Sequence, residues 1–143
     1  MTIKSIKISN FQSHQKTFLE FHKRLNIICG KTDSGKSGLR RAIEWIVNNR
    51  PSGESFKSKW GGDTKVELLV KVKEGKSLIS RKKGKENLYI LDRNKYKAFG
   101  QDVPEDVKNI LRMSDVNIQH QMSLPFMLTM SSGEVARYLN EIV

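Results

Sequence analysis

The sequence has little of what builds covalent or membrane scaffolds. Of its 143 residues one is cysteine, Cys29, and three are proline. A single thiol excludes an internal disulfide framework and any zinc site built from several cysteines, and it suits a reducing, intracellular setting. No apolar run approaches the ~18–20 residues of a membrane span, so no membrane-crossing helix is expected. The opening MTIKSIKISNF alternates apolar and polar residues and lacks the unbroken apolar segment of a signal peptide. His14, His22 and His120 show no metal-ligand spacing and are read as non-catalytic. Acidic residues are scarce too: 15 Asp and Glu stand against 26 Lys and Arg, a net charge of +11. Hydrophobic residues make up 37%, which is above the share of a disordered chain. The length fits one ordinary domain with a real core.

The positive charge points to an anionic partner, with nucleic acid the usual candidate. It is unevenly spread. Residues 1–50 and 51–100 each carry a net +7, whereas residues 101–143 carry −3. The densest stretch runs from Lys71 to Lys85 with Arg81-Lys82-Lys83 at its centre. Two readings stand: a solvated hairpin face, or a track for a phosphate backbone, where each neutralised phosphate steepens the salt dependence by about 0.9 in log–log slope.

Alternation of Ile3, Ile6 and Ile8 marks a strand over residues 2–9, followed by a turn at Asn10–Gln15 and a second strand near Thr17–Phe21. Leu25 to Cys29 is a short apolar run bounded by Gly30, the pattern of a buried strand with Cys29 inside it. Leu39, Ala42, Ile43, Ile46 and Val47 recur at three and four residues and predict a helix. It should end near Asn48–Arg50, because Pro51 disfavours helical geometry in the residue before it. Residues 51–63 read as a loop. Thr64–Lys73, Ser77–Lys82 and Glu86–Asp92 read as antiparallel strands turning at Gly75 and Gly84. Pro104 opens another helix with Val107, Ile110 and Leu111 on its apolar face. Ser131 and Glu134 have capping-box spacing before a final helix over about 131–143. Met122, Met127 and Met130 are read as packing residues.

One motif carries chemistry. Gly30-Lys31-Thr32-Asp33-Ser34-Gly35-Lys36-Ser37, followed by Gly38, matches G-x-x-x-x-G-K-[ST] in full. Gly30 and Gly35 permit backbone conformations that let consecutive N–H groups wrap a phosphate. The helix that follows adds roughly half a positive charge at its N-terminus. Lys36 is expected to reach the β- and γ-phosphates of ATP, and Ser37 to offer its hydroxyl to Mg²⁺. A carboxylate for the metal is harder to find: Asp92 ends an apolar stretch but is followed by basic residues, and no L-S-G-G signature is present. Neither a guanine-specific N-K-x-D nor a lid arginine cluster is present, which weighs against a small GTPase or kinase.

The order of these pieces, a first strand, Asn10-Phe11-Gln12-Ser13-His14, a second strand and a phosphate loop from residue 30, resembles the ATPase head of the SMC-like family. It is most similar to double-strand-break repair ATPases of the SbcC type, with RecF and RecN as relatives. The resemblance implies an α/β fold, the N-terminal lobe of an ABC-type P-loop NTPase with an antiparallel β-subdomain over about 64–98, ending before a coiled coil. It implies that Gln121, in a Q-loop region over about 117–123, contacts Mg²⁺, with Gln119 as the alternative. Gln12 and Ser13 fall where the family contacts nucleotide, although Gln12 replaces a cation there. Ser58, Lys59 and Trp60 fall near the base, with Trp60 either stacking on it or packing in the core. The implied partners are DNA, the C-terminal half of the head, a second head and a nuclease subunit, in the cytoplasm or on the nucleoid. The other class of function is a self-contained basic nucleic-acid-binding module whose glycine loop holds a backbone phosphate.

Overall fold

Ile6 and Ile8 put β-branched side chains on one face of β1 (Thr2–Phe11), which is joined to β2 (His14–Glu20) by the two-residue turn at Gln12–Ser13. The strand resumes at His14, three residues earlier than its composition indicates, because pairing with β1 extends to Phe11↔His14. The computed structural model describes residues 1–97, 100–113, 117–120, 123, 128 and 130–142. Next come α1 (Lys36–Asn48), β3 (Thr64–Val72), β4 (Gly75–Lys83), β5 (Asn87–Leu91), β6 (Asn94–Tyr96), α2 (Glu105–Leu111) and α3 (Ser132–Ile142). The strands form one antiparallel sheet in the order β2-β1-β3-β4-β5-β6. β6 escapes the sequence pattern because three residues are too few to show a period. Asp92 makes its turn: it has φ 53° and exchanges bonds with Leu78, whose N–H donates to Asp92 Oδ1 at 2.7 Å. Its carboxylate is engaged in this turn.

The alternation seen in β3 is a two-faced sheet. Val66, Leu68 and Val70 point to one side with Ile6, Ile8, Ile79 and Tyr89, and α1 lies on that side through Leu39, Ala42, Trp45 and Ile46. Trp45 stacks on Phe56 at 4.7 Å between centroids and tilts against Phe11 at 5.6 Å. Arg81 is buried among these rings, 4.8 Å from the centroids of both Trp45 and Tyr89. Its Nε donates to Asn49 Oδ1, and Nη1 donates to the carbonyls of Lys82 and Leu88. Tyr89 Oη donates to the carbonyls of Trp45 and Ile46 near the end of α1. Burial pushes the Tyr89 hydroxyl well above its usual value and lowers that of the Arg81 guanidinium. The centre of the basic run is therefore structural. Arg81 is inside, Lys82 pairs with Asp63 at 2.9 Å, and Lys83 lies over Phe56.

The second correction concerns Leu25–Cys29. No strand forms there, and Leu25 and Ile27 are 73% and 76% exposed with Cys29 also at the surface. An apolar run records what a segment would bury, not whether a neighbour is present. All six strands already pair with one another, and β2, the nearest in sequence, is paired to β1 alone. Asn26, within the run, bonds the backbone of His22 in both directions and ties the run to the turn before it.

The capping box forms: Ser131 Oγ and N–H both donate to Glu134 Oε2 at 2.8 Å, which holds the Glu134 carboxyl below the usual range. α3 keeps Leu139 half exposed. Met130 is partly exposed rather than packed inside, while Met122 and Met127 lie outside the described residues.

Two substitutions distinguish core from uncovered run. Leu68→Ala should cost about 2–5 kcal/mol in urea unfolding of this chain, whereas Ile27→Ser should stay within about 0.5 kcal/mol. A large loss at Ile27 would mean that the run is packed after all.

Candidate functional site

Loop residues 30–35 lead into α1, whose N-terminus has no side-chain cap and no acidic residue in its first turn. The unpaired N–H groups of that turn point out of the helix end, and the axis dipole makes the end positive. Gly35 has φ +90° and serves as N-cap, with the N–H groups of Gly38 and Leu39 closing on its carbonyl. Asp33 takes φ 61°. Lys36 folds back over the loop, its Nζ donating to the carbonyls of Gly30 at 2.7 Å and Lys31 at 2.6 Å and reaching Ser34 Oγ at 3.3 Å. Thr32, Asp33, Ser34 and Ser37 are exposed at the mouth.

His14 braces this loop. Its Nε2 lies 3.0 Å from the carbonyl of Gly35 and its Nδ1 2.9 Å from Thr17 Oγ1, so the β1–β2 turn is clipped to the start of α1. The contact leaves no room for side chains. A Cβ on Gly38 would sit 2.9 Å from His14 Nε2, and one on Gly35 would sit 3.0 Å from Ser13 Oγ. Gly38 is thus required by a close approach across 24 positions of sequence, which spacing alone does not reveal.

Beside the loop, Gln12, Ser13, Ser55, Lys57, Lys59 and Trp60 line a groove of about 360 Å³. Residues singled out separately in the sequence are here side by side. Gln12 takes φ 47°, donates its N–H to the Phe56 carbonyl at 2.8 Å, and accepts from Arg41 Nη1 at 3.3 Å. Arg41, from the second turn of α1, thus sets a guanidinium against the Gln12 side chain. Trp60 is 52% exposed on the groove, while the packing role falls to Trp45. Ser58 departs from this group: its Oγ is buried, with no partner among the described residues, and it does not line the groove.

Gln121 lies outside the described residues, and Gln119 is exposed. The adjacent His120 ties that segment to α1, with Nδ1 3.1 Å from Arg40 Nη1 and Nε2 3.3 Å from Glu44 Oε1. Its signal in the sequence was nil, because the three residues are 76 or more positions apart except for the Arg40–Glu44 pair at helix spacing.

The donor set fits a polyphosphate: backbone N–H groups, one lysine, a positive helix end, and glycines where a Cβ would clash. No group of three His, Cys, Asp or Glu able to hold a metal exists among the described residues. Ser37, the residue that the sequence reading offers to Mg²⁺, is exposed at the mouth of the loop.

A family model described as AAA ATPase domain matches residues 1–125. The DNA double-strand break repair Rad50 ATPase of Pyrococcus abyssi (strain GE5 / Orsay) is 34% identical over 89 residues, covering 57% of this chain and 10% of that protein. The DNA replication and repair protein RecF of Lactococcus lactis subsp. cremoris (strain MG1363) is 32% identical over 74 residues, covering 49% and 21%. The chain thus spans about a tenth to a fifth of these relatives. Among solved structures, one described as "Structural biochemistry of ATP-driven dimerization and DNA stimulated activation of SMC ATPases" covers 100% of both chains at TM-score 0.75 and 18% identity. The SMC head domain from Thermotoga maritima covers 98% of this chain and 51% of its own at TM-score 0.60 and 21% identity. The fold is that of the N-terminal lobe of an SMC-like head.

The brace is testable by a double-mutant cycle. Gly38→Ala should destabilise the chain by about 1–3 kcal/mol through overpacking, and adding His14→Ala should recover most of that loss in thermal melts. Additive effects would show that His14 and Gly38 do not meet.

Proposed function

Because this chain belongs to the AAA ATPase domain family, we propose that it is the ATP-binding lobe of a DNA repair ATPase head, completed by a C-terminal half and paired with a second head. The observation that carries this reading is the braced loop: Gly30 to Ser37 opening α1, clipped by His14, with a groove holding Trp60 alongside. In this reading the loop N–H groups and Lys36 exchange their present carbonyl partners for β- and γ-phosphate oxygens. Trp60 offers its exposed ring to the base, and Arg41 with Gln12 closes the groove from the α1 side. Bound Mg²⁺ supplies charge neutralisation on the phosphate oxygens, with Ser37, and Gln121 or Gln119, among its ligands.

The described residues hold no clustered carboxylates near Ser37 to orient an attacking water. Hydrolysis then depends on groups from the C-terminal half and from the second head. The exposed Leu25–Cys29 run, which leads straight into the loop, is where strands of that C-terminal half would pair and bury it. ATP-driven pairing of heads would regulate a nuclease subunit and expose a basic surface to DNA.

That surface lies at the far end of β3 from the loop, roughly 26 Å away for eight residue steps at ~3.3 Å. Two neighbouring clefts there share Lys76: one adds Lys73 and Arg112, the other Lys4 and Lys71. With Arg81, Lys82 and Lys83 taken by internal contacts, the hairpin tip is the part of the basic run that faces outward.

Lys36→Ala should weaken ATP binding about tenfold or more in calorimetric titration, since charge-assisted contacts of ~1.5–3 kcal/mol are removed. Turnover should be negligible for this chain alone and rise on mixing with the C-terminal half; full turnover by the chain alone would sink the split-head reading. For DNA, the triple change Lys71→Gln, Lys73→Gln and Lys76→Gln should lower the log–log salt slope of duplex binding by about 2–3. An unchanged slope would move the DNA surface elsewhere. DNA binding lost with Lys36→Ala and competed by ATP would instead favour a loop that grips backbone phosphate.

A further inference from the structure

We propose that Asn10 is a positioning residue for the base end of the nucleotide site: it holds the loop that carries Trp60, while His14, across the same hairpin turn, holds the phosphate loop. The inference rests on the reading of the groove beside the phosphate loop as the place of the ATP base. Asn10 opens the motif Asn10-Phe11-Gln12-Ser13-His14 and does not itself line the groove. It stands half-buried near the end of β1 with φ 51°, a left-handed conformation that asparagine tolerates better than most side chains. Backbone pairing of β1 with β3 ends one residue earlier, at Ser9↔Lys65. From there the contact passes to side chains. Asn10 Nδ2 donates to the Asp63 carbonyl at 3.2 Å, and Thr64 Oγ1 donates to the Asn10 carbonyl at 2.8 Å.

These bonds meet a fixed point. The Asp63 carboxylate pairs with Lys82 at 2.9 Å and accepts the Lys85 N–H at 3.1 Å, so the carbonyl that Asn10 grips is held from the β4–β5 side as well. Gly62, with φ +82°, lies so close that a Cβ there would sit 2.7 Å from Asn10 Nδ2. At its other end the loop is tied to the same hairpin: Phe11 bridges Lys57, the Gln12 N–H donates to the Phe56 carbonyl, and Phe56 stacks on Trp45. Positions 58–61 lie between these two ties, and Trp60 is one of them. So short a span closed at both ends has few conformations. With one tie released, the exposed ring gains freedom that a bound base must remove again, which weakens stacking. Asn10 thus acts on the base through Trp60.

The test is a double-mutant cycle on nucleotide binding by the whole chain. Asn10→Gly removes the amide and keeps the left-handed backbone free of strain. Asn10→Asp keeps the size and sets an acceptor against the Asp63 carbonyl. Thermal melts verify that each variant is folded. By calorimetry each should bind ATP about fivefold or more weakly, the loss of a base–aromatic stack, and should bind inorganic tripolyphosphate as the unaltered chain does. Adding Trp60→Ala should weaken ATP binding no further. Additive losses, or tripolyphosphate weakened as much as ATP, would overturn the assignment, because a merely structural Asn10 would loosen the hairpin and the phosphate loop with it. Failure of the unaltered chain to bind ATP would instead sink the nucleotide reading, and a readout without ligand then decides Asn10 by itself. With Trp45 buried and Trp60 exposed, acrylamide quenching of fluorescence reports Trp60, and its slope should rise in Asn10→Gly. An unchanged slope would overturn the hold of Asn10 on the loop.

Discussion

The site depends on the way α1 is pinned to one face of the sheet at both ends. At its C-terminal end Trp45 stacks on Phe56 and tilts against Phe11, Tyr89 donates to two helix carbonyls, and Arg81 fills the space between rings. At its N-terminal end His14 holds the Gly35 carbonyl. Between them the helix cannot rotate or slide without breaking buried hydrogen bonds, and a phosphate loop works only if its N–H groups are held in place before the ligand arrives.

The buried arginine shows how charge is divided. A guanidinium removed from water is costly unless its hydrogens and its charge find partners; here carbonyls, an amide and two aromatic faces supply them. A run of basic residues therefore separates into three uses within a few positions. Arg81 organises the core, Lys82 ties Asp63 at the edge of the sheet, and the lysines of the β3–β4 tip remain in solvent.

Apolar surface left in water is informative for the opposite reason. Leu25, Ile27 and Ile28 precede the loop directly, yet the described residues leave them exposed. A sheet of six antiparallel strands can fold around its own α1, since its core is closed by Ile6, Leu68, Ile79 and Trp45. The loop, however, enters from a segment that pairs with none of the described strands.

Much of the architecture was legible in one dimension because it is local or periodic. Alternation in β1 and β3, the three–four spacing of α1, the Ser131–Glu134 box and the glycine pattern of the loop all depend on residues a few positions apart. Gln12, Ser13, Lys59 and Trp60 were visible by their resemblance to a family, but their meeting in one groove was not. By itself the sequence determined where most strands and helices lie, which helix follows the glycine-rich motif, and that positive charge dominates the first hundred residues. Only the tertiary structure decided that Arg81 is inside, that Leu25–Cys29 is uncovered, that Asp92 makes a turn, and that His14 sets the need for glycine at position 38. The reason is physical: burial and close approach are set by whatever happens to lie across a gap in space, and that neighbour can be dozens of residues away, or on another chain.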